Sequence, residues 1–363
     1  MNLKRLLIGS AAAFTVTSAA QAADAIVAAQ PEPVEYVRIC DGYGAGYFFI
    51  PGTETCLKLG GQVRTEGKWN DAYNPDSKNG TLWHTRAELS IATATDTEYG
   101  PLKTNVLLRW DWQEGGPTTT NMKTANISLG GFLVGKADSQ FNSFMGYAGD
   151  VINDDVVYTG PYELNQLTYN YDAGNGFTAV ASVEDSNSSG AGASYGASWW
   201  KDDKRNHYAP DAVAGAGFRS GAWGFKVVGG YDSIAEAGAV KARIDADFGV
   251  FTAFLMGGWN TDGNKLNKYA GTNVARSACP TGRPDLCGWG DWAVWGGVGV
   301  PINEKLKWNV QLAYTDSKIF SATTNIRWSP VKNLQVTPEL SYTNFDSVNR
   351  DQWSGILRFQ RSF

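Results

Sequence analysis

The chain has 363 residues, with 31 basic and 36 acidic side chains and a formal charge of −5. That mildly acidic balance, with no basic patch, excludes nucleic acid as a partner. Forty-two glycines, 16 Phe, 16 Tyr, 14 Trp and only four Met describe glycine-rich turns and aromatic-rich strands, and so an all-β chain.

In chain order, the first element is "MNLKRLLIGSAAAFTVTSAAQA". It carries Lys4 and Arg5, an apolar stretch from Leu6 to Val16, and the small-x-small site Ala20-Gln21-Ala22. This is a secretory signal peptide over 1–22, with the mature chain beginning near Ala23. Without Lys4 and Arg5, 29 basic side chains face 36 acidic ones. No later run of eighteen apolar residues offers a membrane helix. A transmembrane β-barrel stays open, because it shows its apolar surface only at alternate residues. Residues 23–57 form an N-terminal segment on the periplasmic rim, ahead of a barrel over 58–363. The four cysteines fall into two local pairs, Cys40 with Cys56 and Cys279 with Cys287. Four cysteines allow three connectivities, and the local one is simplest in an oxidising compartment. A metal site is a poor alternative, since no His lies near either pair and neither has C-x-x-C spacing.

Alternation then runs along the chain. "GQVRTEGKW" sets Gln62, Arg64, Glu66 and Lys68 against Val63, Thr65 and Trp69. "TLWHTRAELSIAT" sets His84, Arg86, Glu88 and Ser90 against Trp83, Ala87, Leu89 and Ile91. "LKTNVLLRWDW" and "AVKARIDADFG" repeat the pattern, with Arg109, Asp111, Lys241 and Arg243 on the polar side. Period-two alternation marks strands with one wet and one apolar face. A soluble sandwich alternates too, and a secreted carbohydrate-binding sandwich using Trp199, Trp200 and Trp289 is the rival from another class. The connections decide. Short turns ("DTEYG", Gly130-Gly131, "AGN", "SGA", "FGV", "PINEK", "SPVKN") alternate with mostly longer loops ("NDAYNPDSKNG", "QEGGPTTT", 138–163, 185–209, 261–290). Sixteen strands result. An even count, with turns on one rim and loops on the other, is the layout of an antiparallel transmembrane β-barrel. Both strand termini then fall on the turn side, and the closing strand "QWSGILRFQRSF" pairs with the first, leaving no edge in lipid.

The blocks "VEYVRICDGYGAGYFFIPGTETCLKLGG", "GYAGDVINDDV", "GWGDWAVWGG" and "RFQRSF" resemble the general porins of alphaproteobacteria. The resemblance spans the mature chain. It implies a sixteen-stranded barrel in the Gram-negative outer membrane, among lipid and lipopolysaccharide, usually as a homotrimer. It implies passive diffusion of small hydrophilic solutes and ions, and recognition of Phe363 by the barrel assembly machinery. It also implies that the loop after the fifth barrel strand folds inward. A substrate-selective channel of the same architecture is the alternative. Arg361 departs from the family pattern by its lipid-facing parity, and it is expected to reach the headgroup level.

A sixteen-stranded barrel is too wide for its own side chains to fill. The long segment 138–163 is the candidate constriction, since a long ordered loop in a compact protein is usually functional. Its Asp150, Asp154, Asp155 and Glu163 are expected to face the hole, while Phe141, Phe144, Met145, Val151 and Ile152 pack on the wall. Opposite them Arg64, Arg86 and Arg109, with Lys58, form a basic ladder, or each pairs with Glu66, Glu88 or Asp111. The net acidity points to a mild cation preference. Nothing marks an enzyme: His84 and His207 are the only histidines, and no G-x-S-x-G elbow is present. No cofactor or metal is expected.

Overall fold

A computed structural model describes residues 37–70, 80–186, 208–273 and 284–363. The signal peptide, Trp199, Trp200, His207 and Cys279 lie outside the described residues. A two-residue strand, β1 (Phe48–Phe49), leads into sixteen barrel strands. These are β2 (Cys56–Asn70), β3 (Gly80–Thr95), β4 (Leu102–Gln113), β5 (Thr119–Leu129), β6 (Phe132–Asp138), β7 (Glu163–Asp172), β8 (Phe177–Glu184) and β9 (Asp211–Ser220). They continue as β10 (Trp223–Asp232), β11 (Ala237–Asp247), β12 (Thr252–Asn260), β13 (Trp292–Asn303), β14 (Leu306–Thr315), β15 (Ile319–Trp328), β16 (Leu334–Phe345) and β17 (Arg350–Ser362). Each pairs antiparallel with its chain neighbours, and β17 returns to β2. The barrel begins at Cys56, two residues ahead of the expected position 58. The connection expected over 113–120 shortens to 114–118, because β4 runs on to Gln113.

Closure reaches the last residue. Ser362 lies opposite Gln62 in the β17–β2 register. Beyond it, the Phe363 amide donates to the Gly61 carbonyl at 3.0 Å, and the Gly61 amide donates to the Phe363 carbonyl at 3.0 Å. Gly61 is needed there: a Cβ would run into the Glu88 carbonyl and meet the Phe363 ring at 2.9 Å. Arg361 stands exposed on the outward side and turns back, donating to the Asn333 carbonyl in the neighbouring turn at 3.4 Å.

The faces follow the alternation. Leu59, Val63 and Val134 stand exposed on the outside, while Glu66, Lys241 and Gln311 are buried inside. Trp69, Trp83, Trp112, Trp259, Trp292 and Trp353 ring the loop-side ends of their strands, all exposed. Phe132, Trp223, Trp308, Trp328 and Phe363 ring the turn side. Two aromatic belts around an apolar band mark where a membrane's interfaces meet a barrel. Cys40 and Cys56 are joined by a disulfide, which ties the preceding segment to the turn-side end of β2.

Two loops enter the barrel. The first, 139–162, starts with a short helix, α1 (Gln140–Ser143), whose N-cap Ser139 accepts from the Phe141 amide at 3.2 Å. The second comprises the described residues 261–273 and 284–291 of a connection that the loop pattern places on the outer rim, yet Leu266, Tyr269, Ala270, Cys287 and Trp289 are buried. Tyr269 packs on Phe141 with ring centroids 5.0 Å apart, and the Tyr158 hydroxyl donates to the Lys268 carbonyl at 2.9 Å. Inward-facing Gly230 and Gly258 make room, since a Cβ on either would lie 2.7 or 2.6 Å from the Tyr269 or Trp289 ring. Trp289 is therefore core, which removes it from any sugar-binding surface.

Gly61→Val is expected to damage closure at both the Glu88 carbonyl and Phe363. Overpacking of this kind costs about 1–3 kcal/mol or more. On a gel of samples preheated over a series of temperatures, the compact folded band should be lost at a lower temperature than for the wild type. An unchanged transition would mean that the end of β17 does not hold the barrel shut.

Candidate functional site

The site is the space between loop 139–162 and the wall formed by β2, β3, β4 and β17. The loop belongs to the other half of the wall, where inward side chains hold its backbone. Lys226 donates to the Phe144 carbonyl at 2.7 Å, and Arg243 to the Tyr147 carbonyl at 2.6 Å. Fully buried Lys241 donates to the Thr159 carbonyl at 2.6 Å and the Asn142 side chain at 3.0 Å, with its ammonium 4.4 Å from the Phe141 ring centroid. The indoles of Trp289 and Trp295 donate to the Tyr158 and Val157 carbonyls at 2.6 and 3.1 Å. Glu339 accepts from the Ile152 and Asn153 amides, and Gln311 donates to the Asp154 carbonyl at 3.0 Å. A loop within a barrel exposes peptide groups that must find partners, and strands β10 to β16 supply them. Phe141, Met145 and Val151 are buried against that wall, as their apolar character required.

The four expected acids separate. Asp150 faces the loop's own anchoring wall, paired with Lys307 at 2.5 Å and Arg327 at 3.1 Å. These cations hold its carboxyl below the ordinary range, against the opposing effect of burial. Glu163 is not a loop residue at all; it opens β7 and pairs with Lys123. Asp154 and Asp155 alone have no cation within ion-pair distance among the described residues. Asp154 is half-buried, so water reaches it, yet the wall encloses it and Asp155 adds a like charge. Both effects push its carboxyl up, to about 8, with Glu339 adding to them and the charge of Arg358 opposing. Enclosure pushes Asp155 upward as well.

The opposite wall is a network in register. Arg64 lies across from Arg86, Glu66 from His84 and from Arg358, Arg86 from Asp111, and Glu88 from Arg109. Glu66, fully buried, is the hub: Arg358 reaches it at 2.6 Å, Lys68 at 3.0 Å, His84 at 3.0 Å and Arg64 at 3.4 Å. His84 also meets Asp111 at 2.9 Å. Arg86 contacts Asp111 and Arg109 contacts Glu88, each at 2.5 Å. Ladder and pairing therefore hold together. Leaving His84 aside, the wall sets five cations, Arg64, Lys68, Arg86, Arg109 and Arg358, against three carboxylates, Glu66, Glu88 and Asp111. Lys58 stands apart, exposed over the Tyr47 ring at 5.6 Å from its centroid. The sequence reading missed Arg358 and Glu339, although both fall on the wet parity of strands it recognised. Between wall and loop, a cavity of about 340 Å³ is bounded by Asn153 and Asp155 on one side and by Lys68, Gln352 and Ser354 on the other.

A family model described as the porin subfamily matches residues 24–357. The chain belongs to the porin family. It is 41% identical to porin Omp2b of Brucella abortus (strain 2308) over 383 aligned positions, covering 100% of both chains. It is equally similar, at 41% identity and full coverage, to porin Omp2b of Brucella suis biovar 1 (strain 1330). Among solved structures, it resembles the outer membrane channel DcaP of Acinetobacter baumannii with a TM-score of 0.64 at 14% identity, covering 87% of this chain and 99% of that one. The anion-selective porin of Comamonas acidovorans superposes with a TM-score of 0.54 at 13% identity, covering 85% of this chain and 100% of that one. At such identities the structures speak for the fold. This porin is a multi-pass β-barrel of the outer membrane, an oligomer-forming channel protein whose wet interior is the channel.

A carboxyl displaced upward carries charge only above its raised pKa, so the loop of this porin is less negative in acid. Its cation-to-anion permeability ratio should rise from about pH 6 to about pH 9, read as reversal potentials in a salt gradient. Asp154→Asn should reduce that rise. A flat profile in the wild type would remove Asp154 from the ion path.

Proposed function

We infer that this porin is a general channel, through which small hydrophilic solutes and ions diffuse passively. One observation carries the reading: the inward faces of β2, β3, β4 and β17 carry the charged side chains Arg64, Glu66, Lys68, Arg86, Glu88, Arg109, Asp111 and Arg358, beside a cavity that loop 139–162 leaves open. Loop 139–162 is the constriction within the expected segment 138–163. Its Asp154 and Asp155 form the acidic lip, and Arg64, Arg86, Arg109 and Arg358 form the basic one. Asp150 and Glu163 act from behind, Asp150 by securing the loop and Glu163 by holding Lys123. The field across the gap orients dipolar solutes and disfavours apolar ones, which would have to displace ordered water. Ion preference is set by these few charges rather than by the total of −5. With five wall cations against three wall carboxylates, it is weak, and it shifts toward cations as the lip ionises.

His84 is no general base on this reading, being held between two carboxylates with no hydroxyl nucleophile beside it. The protein is a conduit, not a catalyst. It assembles as a homotrimer among outer-membrane lipid and lipopolysaccharide, with residues 23–57 on the periplasmic rim. Phe363, held in the ladder yet exposed at its ring, is the mark read by the barrel assembly machinery. The second proposed disulfide, Cys279 with Cys287, would stiffen the second loop.

Single-channel recording of the purified protein in a planar bilayer tests the reading. Large ohmic steps that close in threes at high voltage are expected. Folded, heat-modifiable protein without conductance would overturn the channel reading. Block by one solute at micromolar concentration would replace it with a substrate-selective channel of the same architecture.

A further inference from the structure

Beneath the constriction loop, toward the turn side, lies a cavity of about 660 Å³. Its roof is α1 with Phe144, and its walls are the turn-side ends of β7 to β10. Two cations line it, Arg219 and Lys226. Both fall on the inward parity of their strands, opposite outward Phe218 and Phe225. Two carboxylates line it as well, Asp245 paired with a cation and Asp172 at the turn. Asp245 gives both oxygens to Arg243, at 2.7 to 3.0 Å. Asp172 caps the following turn, accepting from the Gly174 amide at 2.8 Å.

The cations are not engaged in the same way. Arg219 is exposed, and its guanidinium has no side-chain or carbonyl partner among the described residues. Lys226 spends one of its three donors on the Phe144 carbonyl and has no carboxylate in ion-pair contact. Asn170 and Thr178, on the inward faces of β7 and β8, add an amide and a hydroxyl whose side chains have no hydrogen-bond partner among the described residues. The cavity therefore carries two cationic groups with donors to spare, Arg219 and Lys226, with the Asn170 amide and Thr178 hydroxyl beside them and Asp172 at its turn-side edge. Such a surface complements an oxyanion that also carries hydroxyl groups.

We propose that this cavity is a retention site for small polyhydroxy carboxylates at the turn-side exit of the constriction. Arg219 and Lys226 take the carboxylate, while Asn170 and Thr178 take hydroxyls. The inference rests on the channel reading above and names a solute class that this channel holds during passage. Both cations sit in lumen water, so binding is weak, in the range of about 1 mM or higher. That is far from the micromolar block of a dedicated carrier channel.

The test is single-channel recording in potassium chloride with gluconate added to one side at a time, and with neutral sorbitol as the control. Saturable, gluconate-dependent interruptions of the current are expected, stronger when gluconate enters from the turn side and absent with sorbitol. Arg219→Gln with Lys226→Gln should weaken the interruption constant roughly tenfold or more, by loss of two charge-assisted contacts. Because Lys226 also holds the loop, Arg219→Gln alone is the cleaner variant and should show a smaller weakening at unchanged chloride conductance. Equal interruption in wild type and both variants would overturn the proposal. So would interruption abolished by Arg86→Gln but untouched by Arg219→Gln, which would place the contact at the constriction. Normal chloride conductance without any interruption would overturn the site and leave the channel reading standing, whereas no conductance at all would overturn both.

Discussion

In hydrocarbon, an unpaired peptide group has no water to turn to, at a cost of several kcal/mol. The rest of this structure depends on that constraint. It forbids an open edge, so the last strand must find the first, and the pairing runs through Phe363 to Gly61 without a frayed residue. It also explains Arg361. A cation on the outward parity of β17 survives because it stands at the turn-side rim and folds onto the Asn333 carbonyl, rather than into the apolar band.

A closed sheet of sixteen strands then creates the opposite condition inside. Its lumen is too wide to fill with side chains and so stays wet. Polar and charged residues belong there, and they occupy the inward parity of nearly every strand. The same peptide constraint returns one level down, in the loops. A chain lying in the lumen against a wall loses water on one face, and its carbonyls need donors. Lys226, Lys241, Arg243, Gln311, Trp289 and Trp295 supply them. Lys241 and Arg243 therefore serve to hold loop 139–162 in place, and Lys226 holds it while also lining the cavity beneath it. The second loop adds Tyr269 and Trp289 behind the first, so that this half of the lumen is packed around the loops, with the cavity beneath α1 left on the turn side.

The electrostatics of the open half follow from crowding. Glu66 is fully buried against Arg64, Lys68 and Arg358, which would repel one another without it, and His84 contacts it too. Across the gap the situation is reversed. Asp154 and Asp155 are adjacent and enclosed, with no cation in ion-pair contact among the described residues, and both are driven toward the neutral form. A wall of cations held by ion pairs thus faces two carboxyls that ionise late, and on the proposed reading the field between them depends on pH.

The sequence by itself determined the class, the strand count and the faces. Alternation of "GQVRTEGKW" or "AVKARIDADFG" has only one reading on a pleated strand, and loop lengths fix which rim is which. It also placed Arg64, Arg86 and Arg109 on the lumen wall and located the inward loop almost to its ends, because strand parity and turn spacing are local properties. The family resemblance supplied the inward direction of that loop. What lies next to what across the lumen was decided only by the tertiary structure. Asp150 and Asp154 are four residues apart in one acidic segment, yet one meets Lys307 and Arg327 while the other has no cation in ion-pair contact among the described residues. The burial of the second loop under Gly230 and Gly258, and the convergence of four basic groups on Glu66, are likewise contacts between distant strands. Alternation tells a side chain which face it is on. Barrel curvature and the path of a loop through the lumen decide which charge it meets there.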